Sequence, residues 1–154
     1  MHHTISVLVV NQSGVLSRIS GLFSGRGFNI ESLNVAETND SGISRMTIVT
    51  RGDDKKIEQV TKQLNKLVDV IKVIDLTEEH FVDRELILIK MNAEARVRGE
   101  ILRIVDIFRA KVIDVNPDTY TVEITGDEGK TKGFLDLLKP LGIKEVVRSG
   151  RIAI

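Results

Sequence analysis

The chain has 154 residues, enough for one ordinary domain or two small ones, and with 42% hydrophobic but only 4% aromatic residues its core must be mostly aliphatic. Basic and acidic residues balance at 22 each, which argues against nucleic-acid or membrane-surface binding driven by bulk charge. Cysteine is absent, excluding disulfides, thiolate zinc sites and a cysteine nucleophile; no run is apolar enough to span a bilayer, and a strand pattern starting at Thr4 leaves no room for a signal peptide, so a cytoplasmic protein is expected.

Thr4 to Val10 is rich in β-branched residues and reads as a buried strand. His2 and His3 precede it; without a third ligand nearby they read as an exposed terminus rather than a metal site. The polar turn Asn11-Gln12-Ser13-Gly14 follows, with Ser13 or Asn11 as possible caps for the next helix. Val15, Leu16, Ile19, Leu22 and Phe23 share one helical face, each worth at most about 1.5–3 kcal/mol on burial. Gly25 and Gly27 should end that helix, since glycine accepts the left-handed conformation of a C-terminal cap.

Asn29 to Ala36 reads as a second strand, Asn39-Asp40-Ser41-Gly42 as a hairpin turn, and Ser44 to Thr50 as a third strand. Gly52-Asp53-Asp54 is a turn and cap before a helix whose apolar stripe is Ile57, Val60, Leu64 and Leu67. Val70 to Leu76 is a fourth strand. This βαββαβ order predicts a ferredoxin-like antiparallel sheet with two helices on one face.

After a polar linker, Thr77-Glu78-Glu79-His80, the pattern restarts. Strands are expected over Glu85 to Met91, Lys111 to Val115, Tyr120 to Thr125 and Ile143 to Val147, with a proline turn at Asn116-Pro117-Asp118-Thr119. Helices are marked by Ile101, Leu102, Ile104, Val105 and Phe108, and by Phe134, Leu135, Leu138 and Leu141. The expected fold is therefore α+β, two ferredoxin-like domains over residues 1–77 and 78–154. Ile19, Leu22, Phe23 and Ile30 align at constant offset with Ile104, Ile107, Phe108 and Val115. In the second copy Asn92-Ala93-Glu94-Ala95-Arg96 replaces the Asn-Gln-Ser-Gly turn, which suggests divided labour.

The sequence offers no catalytic constellation: four serines lie between positions 13 and 24, but His2, His3 and His80 have no triad context. Gly21, Gly25 and Gly27 lie within and after a helix, so they do not form a dinucleotide fingerprint. RNA recognition on this fold needs stacking aromatics on the sheet, where Tyr120 and Phe81 offer little. A small-molecule reading of the first turn is more specific. Gly14 lets a ligand approach the backbone, and the N–H groups of Gly14, Val15 and Leu16 open a helix and favour a carboxylate. The Asn11 and Asn29 amides suit an ammonium beside that carboxylate, so the set describes a free amino acid. Capping by Asn11, a tight turn at Gly14 and a strand end at Asn29 explain the same residues without a ligand.

One stretch is more telling. Gly14-x-Leu16-Ser17-Arg18-x-x-Gly21-Leu22-Phe23-Ser24-x-Arg26-Gly27-Phe28-Asn29-Ile30-Glu31-Ser32-Leu33 closely resembles the regulatory (small) subunits of acetolactate synthase, also called acetohydroxyacid synthase. Ser44-Arg45-Met46-Thr47, Arg84-Glu85-Leu86, Ile107-Phe108-Arg109-Ala110 and Arg148-Ser149-Gly150 continue the likeness over nearly the whole chain. The resemblance implies an amino-terminal ACT domain and no catalysis in this chain. It implies a separate large catalytic subunit carrying thiamine diphosphate, magnesium and FAD in branched-chain amino acid biosynthesis. The small subunit of such a pair raises activity and confers feedback inhibition, usually by valine. It further implies a homodimer through side-by-side ACT domains, the effector lying between Asn11, Gly14, Val15 and Leu16 of one chain and Asn29 and Ile30 of its neighbour. The alternative is an amino-acid-sensing ACT protein regulating a different enzyme. One departure is Val9-Val10 before Asn11, where many relatives carry an acidic residue.

Overall fold

The computed structural model describes residues 2–154. The chain divides into two compact units, one of residues up to Val82 together with Arg151–Ile154, the other Asp83–Gly150.

The first unit begins with β1 (His2–Val10), α1 (Val15–Gly25) and β2 (Ile30–Glu37), followed by β3 (Ile43–Arg51), α2 (Asp54–Asn65) and β4 (Val70–Asp75). Its strands form an antiparallel four-stranded sheet in the order β2-β3-β1-β4. Alternate residues of β1 point into one core, where Ile5, Val7 and Val9 pack with Ile19 and Phe23 of α1 and with Ile57, Val60 and Leu64 of α2. Most of the expected stripe of α1 is buried, but Leu16 is 45% exposed because it lies at the open edge of the first turn. Gly27 takes the left-handed conformation (φ 74°), whereas Gly25 stays in the helix; Phe28 N donates to Phe23 O at 2.9 Å, closing the C-terminus. Asp53 caps α2 as its sequence position suggests, accepting from Lys56 N at 2.9 Å.

The second unit repeats the order with β5 (Asp83–Asn92), α3 (Ala95–Ile107) and β6 (Lys111–Val115), followed by β7 (Thr119–Gly126), α4 (Glu128–Gly142) and β8 (Ile143–Arg148). Its sheet order is β6-β7-β5-β8, the counterpart of the first. Ile87, Ile89 and Met91 of β5 pack with Ile101, Ile104 and Val105 of α3 and with Phe134 and Leu138 of α4. The proline turn forms, with Asn116 N donating to Thr119 O at 2.8 Å. The aligned positions are less alike than their residue types suggest. Phe23 is fully buried and Phe108 only partly, and Ile107 and Val115 are 67% and 63% exposed.

Two expectations need correction. The predicted boundary put residues 78–154 together, yet the chain up to Val82 stays with the first unit. Leu76 N donates to Thr4 O, and Val82 exchanges two backbone hydrogen bonds with Ile154. The last residues, Arg151–Ile154, therefore group with the first unit. There Asn34 Nδ2 donates to Arg151 O at 3.1 Å, and Arg151 Nη1 donates to Thr4 Oγ1 at 3.0 Å. The second correction concerns the two histidines. His2 is exposed and meets Glu31, but His3 is 3% exposed, because β1 starts at His2 and pairs His3 with Thr50 of β3. Thr77 and Asp75 flank its Nδ1 at 3.3 and 3.5 Å, while Nε2 makes no hydrogen bond and lies 3.4 Å from Asp54.

Candidate functional site

β1 ends at Val10, whose N–H donates to Asp69 O, and the chain then turns through Asn11 to Gly14 into α1. Gly14 is the N-cap and has φ 86°, a left-handed conformation that a side chain would strain. No side chain caps α1, and its first turn carries no acidic residue. Neither Asn11 nor Ser13 performs the capping role that the sequence allows them. Val15 N makes a long bond to Gln12 O at 3.5 Å, and the exposed residues Gly14 and Leu16 have no side-chain cap for their amides. Such a helix start attracts negative charge.

Asn11 is committed elsewhere. Its Nδ2 donates to Glu37 Oε1 at 3.1 Å and to Ser41 O at 2.9 Å, tying the turn to the end of β2 and the β2–β3 hairpin. Its backbone N–H donates to Gly42 O at 2.9 Å. On the other side of the turn, Arg18 folds back from the first turn of α1. Its Nη1 lies 3.3 Å from where a Cβ on Gly14 would stand, and its Nη2 pairs with Asp69 Oδ2. Glu37, Arg18 and Asp69 were not singled out from the sequence. They lie 26 to 51 residues from their partners, and no local spacing announces such contacts.

The structure gathers Asn11, Gly14, Val15 and Leu16 in one place and sets Asn29 and Ile30 in another. β1 and β2 run parallel on the two sides of β3: Val10 pairs with Ile43, and Ile30 pairs with Thr50 at the opposite end. The two pairings are seven residue steps apart along β3, about 23 Å at about 3.3 Å per step. Asn29 is exposed, and its carbonyl accepts from Thr50 Oγ1 at 2.8 Å. Within one chain these two groups do not form a single pocket.

Among the described residues, no group of three or more His, Cys, Asp or Glu side chains is placed to hold a metal ion, and no helix is long and apolar enough to cross a membrane.

Comparison with known proteins fits this arrangement. The family model described as "AHAS small subunit-like ACT domain" matches residues 5–72, and that described as "Small subunit of acetolactate synthase" matches residues 84–154. The chain is 57% identical to the acetolactate synthase small subunit of Aquifex aeolicus over 98% of this chain and 79% of that one. It is 54% identical to a probable acetolactate synthase small subunit of Archaeoglobus fulgidus, covering 99% of this chain and 96% of the relative. The crystal structure of the acetolactate synthase small subunit from Thermotoga maritima superposes with a TM-score of 0.89 at 42% identity, covering 100% of this chain and 96% of that one. With both halves matched and the two ferredoxin-like ACT folds in place, the chain belongs to the acetolactate synthase small-subunit family, the regulatory subunits of that enzyme.

Proposed function

We propose that this chain activates the thiamine-diphosphate-dependent catalytic subunit of acetolactate synthase and makes it sensitive to a branched-chain amino acid, with valine as the expected effector. Catalysis, with its thiamine diphosphate, magnesium and FAD, belongs to the large subunit. Kinship with small subunits along nearly the whole chain supports the pairing with such a partner.

The observation that carries the site assignment is the separation of the two residue groups along the sheet. β2 is an edge strand, with Val35, Ala36 and Glu37 exposed. If β2 pairs antiparallel with β2 of a second copy, the start of one β2 meets the end of the other. Because β1 and β2 are parallel, Asn29 and Ile30 of one chain then approach the Asn11–Leu16 turn of its neighbour. An effector held there touches both chains. It shifts the pair between two arrangements to the extent that it binds one better than the other.

The test is reconstitution with the catalytic subunit and titration with valine, leucine and isoleucine. Activity should rise on adding this chain and fall on adding valine. Sedimentation should show valine stabilising a dimer against dilution; a valine-binding monomer would contradict the shared site. Asn29→Ala should weaken valine binding, and unchanged affinity would leave Asn29 as a strand-end residue only.

A further inference from the structure

We propose that Glu37 and Arg18 are the opposite charged poles of this turn, Glu37 receiving the ammonium of a free amino acid and Arg18 its carboxylate. The inference rests on reading the Asn11–Leu16 turn as the effector site, and it names the groups that select a zwitterion there.

The argument starts from Asn11. Both neighbours of its side-chain nitrogen, Glu37 Oε1 and Ser41 O, are acceptors, so the amide must turn its NH2 towards them and spend both hydrogens. What Asn11 has left for a ligand is its Oδ1, an acceptor. It therefore cannot donate to a carboxylate, but it can accept from an ammonium. Glu37, held beside it, adds a negative charge to the same side of the turn. A carboxylate offers roughly four acceptor positions, so Glu37 can take an ammonium hydrogen without releasing Asn11.

The other side of the turn has the opposite sign. Arg18 Nη1 stands against Gly14, next to the uncapped start of α1, while Nη2 holds Asp69. A ligand carboxylate at the Gly14 amide lies within reach of the guanidinium, and Asp69 is the charge with which it competes. A simple anion such as phosphate would gain from Arg18 and be repelled by Glu37. A simple amine would meet the reverse. Only a ligand carrying both charges gains from both, and an α-amino acid carries them on one carbon.

The deciding experiment is calorimetry of the full-length chain and its variants with three ligands. Valine has both charges, 3-methylbutanoate lacks the ammonium and valinol lacks the carboxylate; the two analogues are read by competition against valine. Glu37→Gln should weaken valine about tenfold, the scale of one charge-assisted hydrogen bond, while 3-methylbutanoate, relieved of a repelling charge, binds no more weakly than before. Arg18→Gln should weaken valine, while valinol, relieved of a repelling charge, binds no more weakly than before. Asp69→Asn should tighten valine, because the competing carboxylate is gone. Glu37→Gln that melts at the wild-type temperature and binds valine with wild-type affinity overturns the proposal, as does an equal loss for valine and 3-methylbutanoate. Wild-type chain that binds no amino acid overturns the underlying effector reading, and this proposal with it.

Discussion

The two strand-to-helix turns of this molecule start from the same plan and finish differently. In each unit the fourth residue of the first helix is an arginine, Arg18 in α1 and Arg98 in α3. In the second unit Arg98 seals its own turn. Its Nε donates to Ala93 O at 2.7 Å and its Nη2 to Pro117 O at 2.5 Å, while Ala93 is fully buried and donates its N–H to Asp118 O. Two carbonyls at that turn are thus taken up by the arginine, although α3, like α1, starts without a side-chain cap. In the first unit Arg18 reaches a side chain, Asp69, and the turn keeps a left-handed glycine and Asn11 held by Glu37. One copy ties its arginine to backbone carbonyls of its own turn; the other ties it to a side-chain carboxylate and keeps a left-handed glycine at the helix start. The fourth helical residue thus seals backbone in one unit and makes a side-chain ion pair in the other.

The largest effect should come from breaking the open turn. Gly14→Asp forces a side chain into a left-handed residue against Arg18 and puts a negative charge where a carboxylate would bind. Valine inhibition of the reconstituted enzyme should disappear while activation survives. Ala95→Asp at the closed turn should leave inhibition intact. Normal valine inhibition in Gly14→Asp would end the assignment.

The cores give the next contrast. Phe23 is fully buried, so Phe23→Ala should cost about 3–5 kcal/mol in denaturant unfolding. Phe108, its partly buried counterpart, should cost clearly less. Equal losses would mean that the two helices pack alike despite their different exposure.

Exchanging the arginines sharpens the comparison itself. Arg98→Ala removes two hydrogen bonds to backbone carbonyls and should lower stability by about 1–3 kcal/mol. Arg18→Ala loses a half-exposed ion pair and should cost only about 0.2–1 kcal/mol, its main effect falling on valine affinity. Chemical denaturation and calorimetry, run on both variants, separate the two outcomes. Finally, Asp53 and Asp127 cap the second helix of each unit in the same way, accepting from Lys56 N and Lys130 N at 2.9 Å. Alanine at either should cost about 1 kcal/mol, and by the same amount in both. A marked inequality would show that the equivalence of the units fails even at this shared feature.

Element order was legible because hydrophobic period and turn chemistry agree in every segment; Ile57, Val60 and Leu64 are buried as their spacing requires. The turn at Gly14 was legible too, since few other residues suit its backbone. Capping by Asn11 or Ser13 failed because the helix begins later than either allows: Gly14 holds the N-cap position, and the Asn11 side chain is held instead at Glu37 and Ser41. Leu16 and Leu102 fit their helical stripes by residue type yet remain 45% and 41% exposed, since a stripe does not report how far the sheet beneath extends. Burial of His3 was hidden for a similar reason: only the pairing of β1 with β3 draws so early a residue inside. The ionic partners of the turn belong to the same class, contacts created by the fold rather than by neighbours in sequence.

The return of Arg151–Ile154 to the first unit has a consequence for how the molecule is made. A ribosome delivers the first sheet early, but the residues that bond to Asn34, Thr4 and Val82 emerge only after the second unit. The first unit is thus begun before the second and completed only after the whole of the second has been synthesised. A fragment cut at Val82 would hold every strand of the first sheet and still lack its closing segment, so the unit that carries the open turn is not a contiguous piece of the gene.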